Sequence, residues 1–286
     1  MPLRDESSYN ITVEGEPEVV GEVRTKILSS FSDLEFIEDG HKYYIGDMEV
    51  QSVSYFTQNF EHEFDAEERS IAYAEKHGGT PEYWRKKWKF TNLKATTTGT
   101  LVHSYAESMA WIKAGHPENI TPDNLCKWVP EYNWLIPTRG KEEAVMAFWK
   151  DLPDGFHIVL PETRIYNIGD TVRYAGTFDL LLWYESKDDP SKSGCVVVDW
   201  KTNAEIRKEY SRVNGRMMYS PFESLYDEPL GAYTIQLNLY SIALRKIGLK
   251  VVGRRVVWLK EDGTYEMVKI GDVTNQLLSI DKSLFL

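Results

Sequence analysis

Residues 176–201, GTFDLLLWYESKDDPSKSGCVVVDWK, decide the fold predicted for this chain. Two apolar runs, 180–183 and 196–198, flank a loop rich in Asp, Ser, Pro and Gly. This pattern is typical of two largely buried strands joined by a hairpin loop. Asp179 begins the first run and Asp199 closes the second. An antiparallel hairpin would therefore bring both carboxylates to the same edge of the sheet.

Lys201 lies two residues beyond Asp199, so the alternation of strand side chains places both on one face. Two acids and a lysine at the rim of a buried sheet predict a metal-dependent phosphodiesterase site. Each residue also has a simpler interpretation. Asp179 alone is typical of a turn, and Lys201 alone is explained by a salt bridge to Asp199.

The composition is that of an ordinary globular protein, because 42% of the 286 residues are hydrophobic and 27% are charged. No run approaches the length of a membrane span, and MPLRDESSYN lacks the apolar core of a signal peptide. The two cysteines, Cys126 and Cys195, are too few for a disulfide framework or a four-thiolate metal site. A cytoplasmic location, without membrane association, is expected.

The charge is unevenly distributed along the chain. Residues 1–80 hold 18 acidic and 6 basic side chains, a net charge of −12 against −11 for the whole chain. The remaining residues are therefore close to neutral, and their bases occur in clusters. This distribution permits a local basic groove for nucleic acid but not a broad basic surface.

The pattern of elements predicts an α/β protein. Residues 41–53 read as a hairpin turning at Gly46-Asp47, and residues 65–78 as a helix capped by Asp65 and ended by Gly78. From Thr98, a possible cap, the predicted order is helix, three strands, helix, strand, which gives a mixed sheet flanked by helices. A helical insertion is expected at about 116–155 and a long loop at 203–230. Residues 1–35 are left unassigned.

Several polar residues on these elements are candidates for the same site. His103 and Glu107 share one face of the first core helix, and Gln236 and Tyr240 share one face of the later helix. Glu162 lies in the strand before the hairpin and is a further candidate, with Glu107. A helical His is usually a packing or surface residue, and a buried Tyr usually has a satisfied hydroxyl.

Residues 81–94, PEYWRKKWKFTNLK, interleave aromatic rings with bases. Such a segment stacks single-stranded bases and holds phosphates, or else forms an amphipathic helix with Trp84 and Trp88 buried. The DNA-binding candidates are Arg85, Lys86, Lys87, Trp88, Lys89, Arg207, Lys208, Arg212 and Arg216.

Together these residues resemble the motifs of the PD-(D/E)XK nuclease superfamily, in its RecB-type exonuclease branch. The matching motifs are Gly99…His103, Gly176…Asp179, Asp199-Trp200-Lys201 and Gln236…Tyr240. They occur in the family order and span roughly residues 96–260. Upstream, residues 41–56 resemble the hairpin of mitochondrial genome-maintenance and bacteriophage exonucleases, with Ser54 where that motif has threonine.

The resemblance implies a restriction-endonuclease-like core at 96–286, after an acidic N-terminal extension at 1–95 with a hairpin and a basic-aromatic helix. It implies that Mg²⁺ or Mn²⁺ is held by His103, Asp179, Asp199 and the backbone carbonyl of Trp200. It also implies catalytic roles for Lys201, Asp179 and Asp199, supported by Gln236 and Tyr240. The two cysteines exclude the iron–sulfur cluster of many relatives, and the absence of GxxxxGK[ST] excludes an ATP-driven motor.

The expected function is hydrolysis of phosphodiester bonds at DNA ends or in single strands, in recombination, repair or phage replication. Replication or recombination proteins would be partners, in a host cytoplasm if the chain is phage-encoded. One alternative is a catalytically silent DNA-binding or packaging accessory, and another is a structure- or site-specific endonuclease. No GxSxG elbow supports a Ser/His hydrolase.

Overall fold

The computed structural model describes residues 15–116, 125–169 and 172–280. The helices are α1 (Glu18–Ser30), α2 (Val53–Gln58), α3 (Ala66–His77), α4 (Pro81–Lys113), α5 (Lys141–Asp151), α6 (Glu209–Val213), α7 (Pro229–Lys246) and α8 (Thr274–Leu278). The strands are β1 (Leu34–Ile37), β2 (Lys42–Ile45), β3 (Met48–Val50), β4 (Cys126–Val129), β5 (Trp134–Pro137), β6 (Phe156–Ile168), β7 (Arg173–Tyr184), β8 (Gly194–Lys201), β9 (Val251–Leu259) and β10 (Tyr265–Lys269).

A five-stranded mixed sheet forms the centre of the protein, in the order β10-β9-β8-β7-β6. Strands β8 and β9 are parallel, and the other neighbours are antiparallel. Residues of α4 and α5 cover one face, and residues of α1, α2, α7 and α8 cover the other. The predicted α/β class with a mixed sheet flanked by helices is confirmed.

The hairpin at 176–201 forms as predicted, with one difference in its first strand. Strand β7 begins at Arg173, so Asp179 lies inside the strand rather than at its start. Leu180 pairs with Val198, and Asp179 precedes Leu180 while Asp199 follows Val198. Both carboxylates therefore reach the same end of the ladder, as expected.

Helix α4 is much longer than predicted. Thr80 caps its first turn by accepting a hydrogen bond from the N–H of Tyr83, and Pro81 occupies the first helical position, which needs no N–H donor. Thr98 does not cap a helix, because it is buried mid-helix and its hydroxyl donates to the carbonyl of Pro137. The helix runs unbroken across residues 95 and 96 and ends at Lys113, before Gly115.

The segment predicted as a helical insertion at 116–155 is only partly helical. Strands β4 and β5 form a separate two-stranded sheet within it, and α5 follows. Trp128 pairs with Leu135, and both are exposed. The aromatic residues of this segment have no clear periodicity, so the sequence pattern did not predict the hairpin. Residues 117–124 lie outside the described part of the chain.

The remaining predicted elements are found close to their expected places. Asp65 caps α3 and Gly78 ends it with φ +74°. The segment 203–230 is mostly irregular and contains only the short helix α6. Strands β1, β2 and β3 form a separate N-terminal sheet, in which the predicted 41–53 hairpin gains a third strand. Within the described residues, no helix is long and apolar enough to cross a membrane.

Candidate metal centre

Three possible metal-ligating side chains converge from three different elements. They are His103 on α4, Glu162 on β6 and Asp179 on β7, and one ligand atom from each lies within 4.8 Å of the other two. The Nδ1 atom of His103 is 3.3 Å from Oδ1 of Asp179 and 3.7 Å from Oε1 of Glu162. An imidazole with two carboxylates at this spacing is a suitable partial shell for a divalent cation.

The backbone of β6 is unusual at Glu162, although its register with β7 is continuous there. Pro161 pairs with Leu180 and Thr163 with Phe178, so Glu162 lies opposite Asp179 between them. Glu162 has φ +40°, an uncommon backbone conformation for a residue with a Cβ. A conformation of this kind at a cluster of ionisable groups is typical of a functional site.

The two carboxylate oxygens of Asp179 have different roles, one in holding the strand and one in the candidate site. Oδ2 accepts a hydrogen bond at 2.7 Å from the backbone N–H of Trp200 on β8, and this contact is buried. Oδ1 faces His103. The carboxylate is therefore held by the backbone of the neighbouring strand and keeps one oxygen for a ligand.

A second polar group lies beside the first, between β8 and α7. Oδ2 of Asp199 is 2.7 Å from Nζ of Lys201, and Oδ1 accepts a hydrogen bond from Gln236 at 3.4 Å. The same amide of Gln236 donates to the hydroxyl of Tyr240 at 3.1 Å. The ammonium of Lys201 also lies 4.3 Å from the ring centre of Tyr233. This arrangement holds the lysine between a carboxylate and an aromatic face.

The structure therefore arranges the predicted ligands differently from the expectation. His103 and Asp179 meet as predicted, and Glu162 joins them, whereas Asp199 belongs to the group around Lys201. Glu107 is buried and lines the same cavity. The side chain of Trp200 packs in the core against Phe148, and the ligand role of its carbonyl stays a prediction.

Burial and neighbouring charges shift the titration of these groups. Burial alone would lower the pKa of His103, but the carboxylates of Asp179 and Glu162 outweigh it and raise that pKa well above the usual range. Burial raises the pKa of Glu162 to about 7 and that of Asp199 to about 7. The carboxylates around Lys201 raise its pKa although burial opposes them. Carboxylates crowded in this way favour a bound cation.

The donor set fits a hard divalent ion. Carboxylate oxygens and one imidazole suit Mg²⁺ or Mn²⁺ better than a soft metal. Among the described residues, no hydrogen bond of acceptable geometry reaches Oδ2 of Asp199, although the Lys201 ammonium lies nearby. A buried carboxylate oxygen without a full set of hydrogen bonds favours a cation nearby, so Asp199 is a suitable additional ligand.

Two glycines permit the close packing behind the site. A Cβ at Gly176 would lie 2.9 Å from Cε1 of Tyr240, closer than side-chain atoms approach. A Cβ at Gly99 would lie 3.3 Å from Oγ1 of Thr202, just beyond Lys201. The glycines of the two motifs therefore let α7 and α4 approach the strands that carry the acids.

The predicted DNA-binding residues fall into three groups. Several of them are paired with acids: Arg207 with Glu266, Arg212 with Glu228, Arg216 with Asp227, and Lys86 with Glu82. Arg85 donates to the hydroxyl of Ser70, and Trp88 packs edge-on against Tyr73, as in the amphipathic interpretation. The side chains of Lys87, Lys89 and Lys208 are exposed.

Comparison of the sequence with protein-family models and with curated proteins gives no match. The site is thus defined by its geometry and by the motif resemblance alone. Sequence reasoning underestimated Glu162, because a strand glutamate carries no sign of a positive φ. Its position opposite a candidate aspartate, in a run interrupted by Pro161, is the one local signal that favours it.

Proposed function

We propose that the protein is a Mg²⁺- or Mn²⁺-dependent deoxyribonuclease with a restriction-endonuclease-like core, acting at DNA ends or on single strands. The observation that carries the proposal is the position of the His103–Glu162–Asp179 group beside the buried Asp199–Lys201 pair, at one end of the β7–β8 ladder. A group of cation ligands beside a fixed ammonium is well suited to phosphodiester hydrolysis.

The residues that would hold the ion are His103, Glu162 and Asp179, joined by Asp199. When bound, the ion supplies Lewis acidity to the scissile phosphate and lowers the pKa of a coordinated water. Lys201 places a positive charge where negative charge develops on the phosphate oxygens. Asp199 and the Tyr233 ring fix the ammonium, so little reorganisation is needed during the reaction. Gln236 and Tyr240 hold the Asp199 carboxylate in place.

The test uses 5′- and 3′-labelled single-stranded and duplex oligonucleotides, incubated with purified protein and Mn²⁺ or Mg²⁺. Asp199→Asn should reduce cleavage by at least about 100-fold, since it removes a charge that is needed by both the ion and the lysine. Asp154→Asn changes an exposed aspartate and should leave the rate unchanged.

The outcomes separate the alternatives. Cutting of closed circular DNA would favour an endonuclease over an end-dependent enzyme. Metal-independent DNA binding without any cleavage would favour a silent accessory protein. Equal cleavage by wild type and Asp199→Asn would assign the activity to a contaminant and contradict the proposal.

A further inference from the structure

The N-terminal sheet β1–β3 forms a wall of the cavity that contains the metal group. The cavity has a volume of about 1040 Å³, and Phe36 and Tyr43 of this sheet and His41 of its first turn line it together with His103 and Asp179. The backbone N–H of Ala175 on β7 donates to the carbonyl of Gln51 at 3.0 Å, which fixes the sheet beside the site. The Tyr43 hydroxyl is 3.4 Å from that of Thr177.

An aromatic and cationic cluster lies on this wall. The guanidinium of Arg164 on β6 lies 4.8 Å from the ring centre of Phe36. The Phe36 ring is also 4.9 Å from the rings of both His41 and Tyr43. Phe36 is half-buried, and Arg164 and His41 are exposed. The cluster is therefore held in a defined arrangement while part of it stays accessible.

Arg164 has no evident structural role that explains its charge. Among the residues described by the structure, no carboxylate forms an ion pair with it, in contrast to Arg207, Arg212 and Arg216. Arg164 follows Glu162 by two strand residues, an advance of about 7 Å. Two nucleotides at about 3.4 Å of rise each cover that distance.

We propose that Phe36 and Arg164 form a subsite for one unpaired nucleobase, adjacent to the phosphodiester that is cut. The inference rests on the proposed nuclease function and names its substrate as a strand with an unstacked base at the site. Arginine planes and aromatic rings stack on any base, so the subsite is tolerant of sequence. Both faces of a base inside a duplex are covered by its stacked neighbours, so the subsite selects single-stranded or frayed ends.

The test compares the binding of normal and abasic strands by the wild type and variants, and it does not depend on cleavage. Single-stranded oligonucleotides carry 2-aminopurine, or an abasic nucleotide, at successive positions from one end, and binding is measured with Ca²⁺ in place of Mg²⁺. We expect a fluorescence change from stacking at one or two positions only. An abasic nucleotide there should weaken binding to the wild type about 10-fold.

The variants Phe36→Leu and Arg164→Gln should each lose the position-specific fluorescence change and bind normal and abasic strands equally. Arg173→Gln, an exposed arginine on β7, is the matched control and should behave as the wild type. Two independent variants guard against misfolding, since Arg164 is on the surface. A full abasic penalty in Arg164→Gln, or no position-specific signal in the wild type, would overturn the subsite while metal-dependent cleavage could still be observed.

Discussion

The carboxylate of Asp179 accepts a hydrogen bond at 2.7 Å from the backbone N–H of Trp200, across the β7–β8 pair. The contact ties a candidate metal ligand to the strand that carries Asp199 and Lys201. It also leaves Oδ1 directed toward His103. One backbone amide therefore couples the geometry of the His103–Glu162–Asp179 group to that of the Asp199–Lys201 pair.

Removing the ammonium should separate charge stabilisation from metal binding. Lys201 is paired with Asp199 and is not part of the His103–Glu162–Asp179 group. We expect Lys201→Met to lower the cleavage rate by at least about 100-fold and to leave Mn²⁺ affinity within a few-fold, because an electrostatic stabiliser acts in the transition state. Calorimetric titration with Mn²⁺ and a cleavage assay measure the two effects. A parallel loss of affinity and rate would instead assign Lys201 a role in organising the ligands.

Without metal, the protein should become less stable as the pH rises from about 5.5 to about 8. The folded-state pKa values of His103, Glu162 and Asp199 are all raised, the last two to about 7. The folded state therefore binds more protons than the unfolded state in this range, and its free energy of unfolding falls as those protons leave. Thermal unfolding in EDTA at several pH values measures this slope.

Glu162→Gln should weaken the dependence of the free energy of unfolding on pH, because one of the crowded carboxylates is removed. Mg²⁺ should also reduce it, since a bound cation replaces the protons. A stability that rises with pH over the same interval in EDTA would show that the acids are separated in solution.

The close approach of Gly176 to Tyr240 predicts a strong effect of a single methyl group. Gly176→Ala places a Cβ 2.9 Å from the tyrosine ring and 3.1 Å from Cγ2 of Val53. Overpacking of this kind costs about 1–3 kcal/mol, and displacement of Tyr240 would also weaken the hold of Gln236 on Asp199. Chemical denaturation and the cleavage rate should both report the change.

Gly21→Ala is the matched control, because Gly21 lies in α1 and the nearest atom to its added Cβ, Oε1 of Glu16, is 3.8 Å away. That substitution should be neutral or stabilise the helix by up to about 1 kcal/mol. Equal effects of the two substitutions would mean that α7 is not packed on β7 as closely as described.

The basic segments 81–94 and 203–230 should contribute differently to the salt dependence of DNA binding. Lys87 and Lys89 are exposed, so Lys87→Gln with Lys89→Gln should reduce the slope of log affinity against log salt by about 1.4 for a single strand. Arg216 is engaged by Asp227 at 2.6 Å, so Arg216→Gln should leave the slope unchanged and destabilise the 203–230 segment by about 1–3 kcal/mol. Fluorescence anisotropy over a salt series, with thermal unfolding, measures both. The reverse pattern would place the nucleic acid along 203–230.

The local patterns in the sequence determined the hairpin at 176–201 and the helix α7. Apolar runs, helical spacing and turn residues act over a few positions, so they can be read without the fold. The same is true of the shared edge for Asp179 and Asp199, which follows from antiparallel pairing.

Only the tertiary structure decided which side chains meet at that edge. Glu162 joins the group with a positive φ, and that conformation has no local signal in the sequence. The acid partners of Arg212 and Arg216 lie 16 and 11 residues away and are brought near by the path of the loop. Contacts between segments depend on packing and side-chain direction, which pattern and spacing alone do not specify.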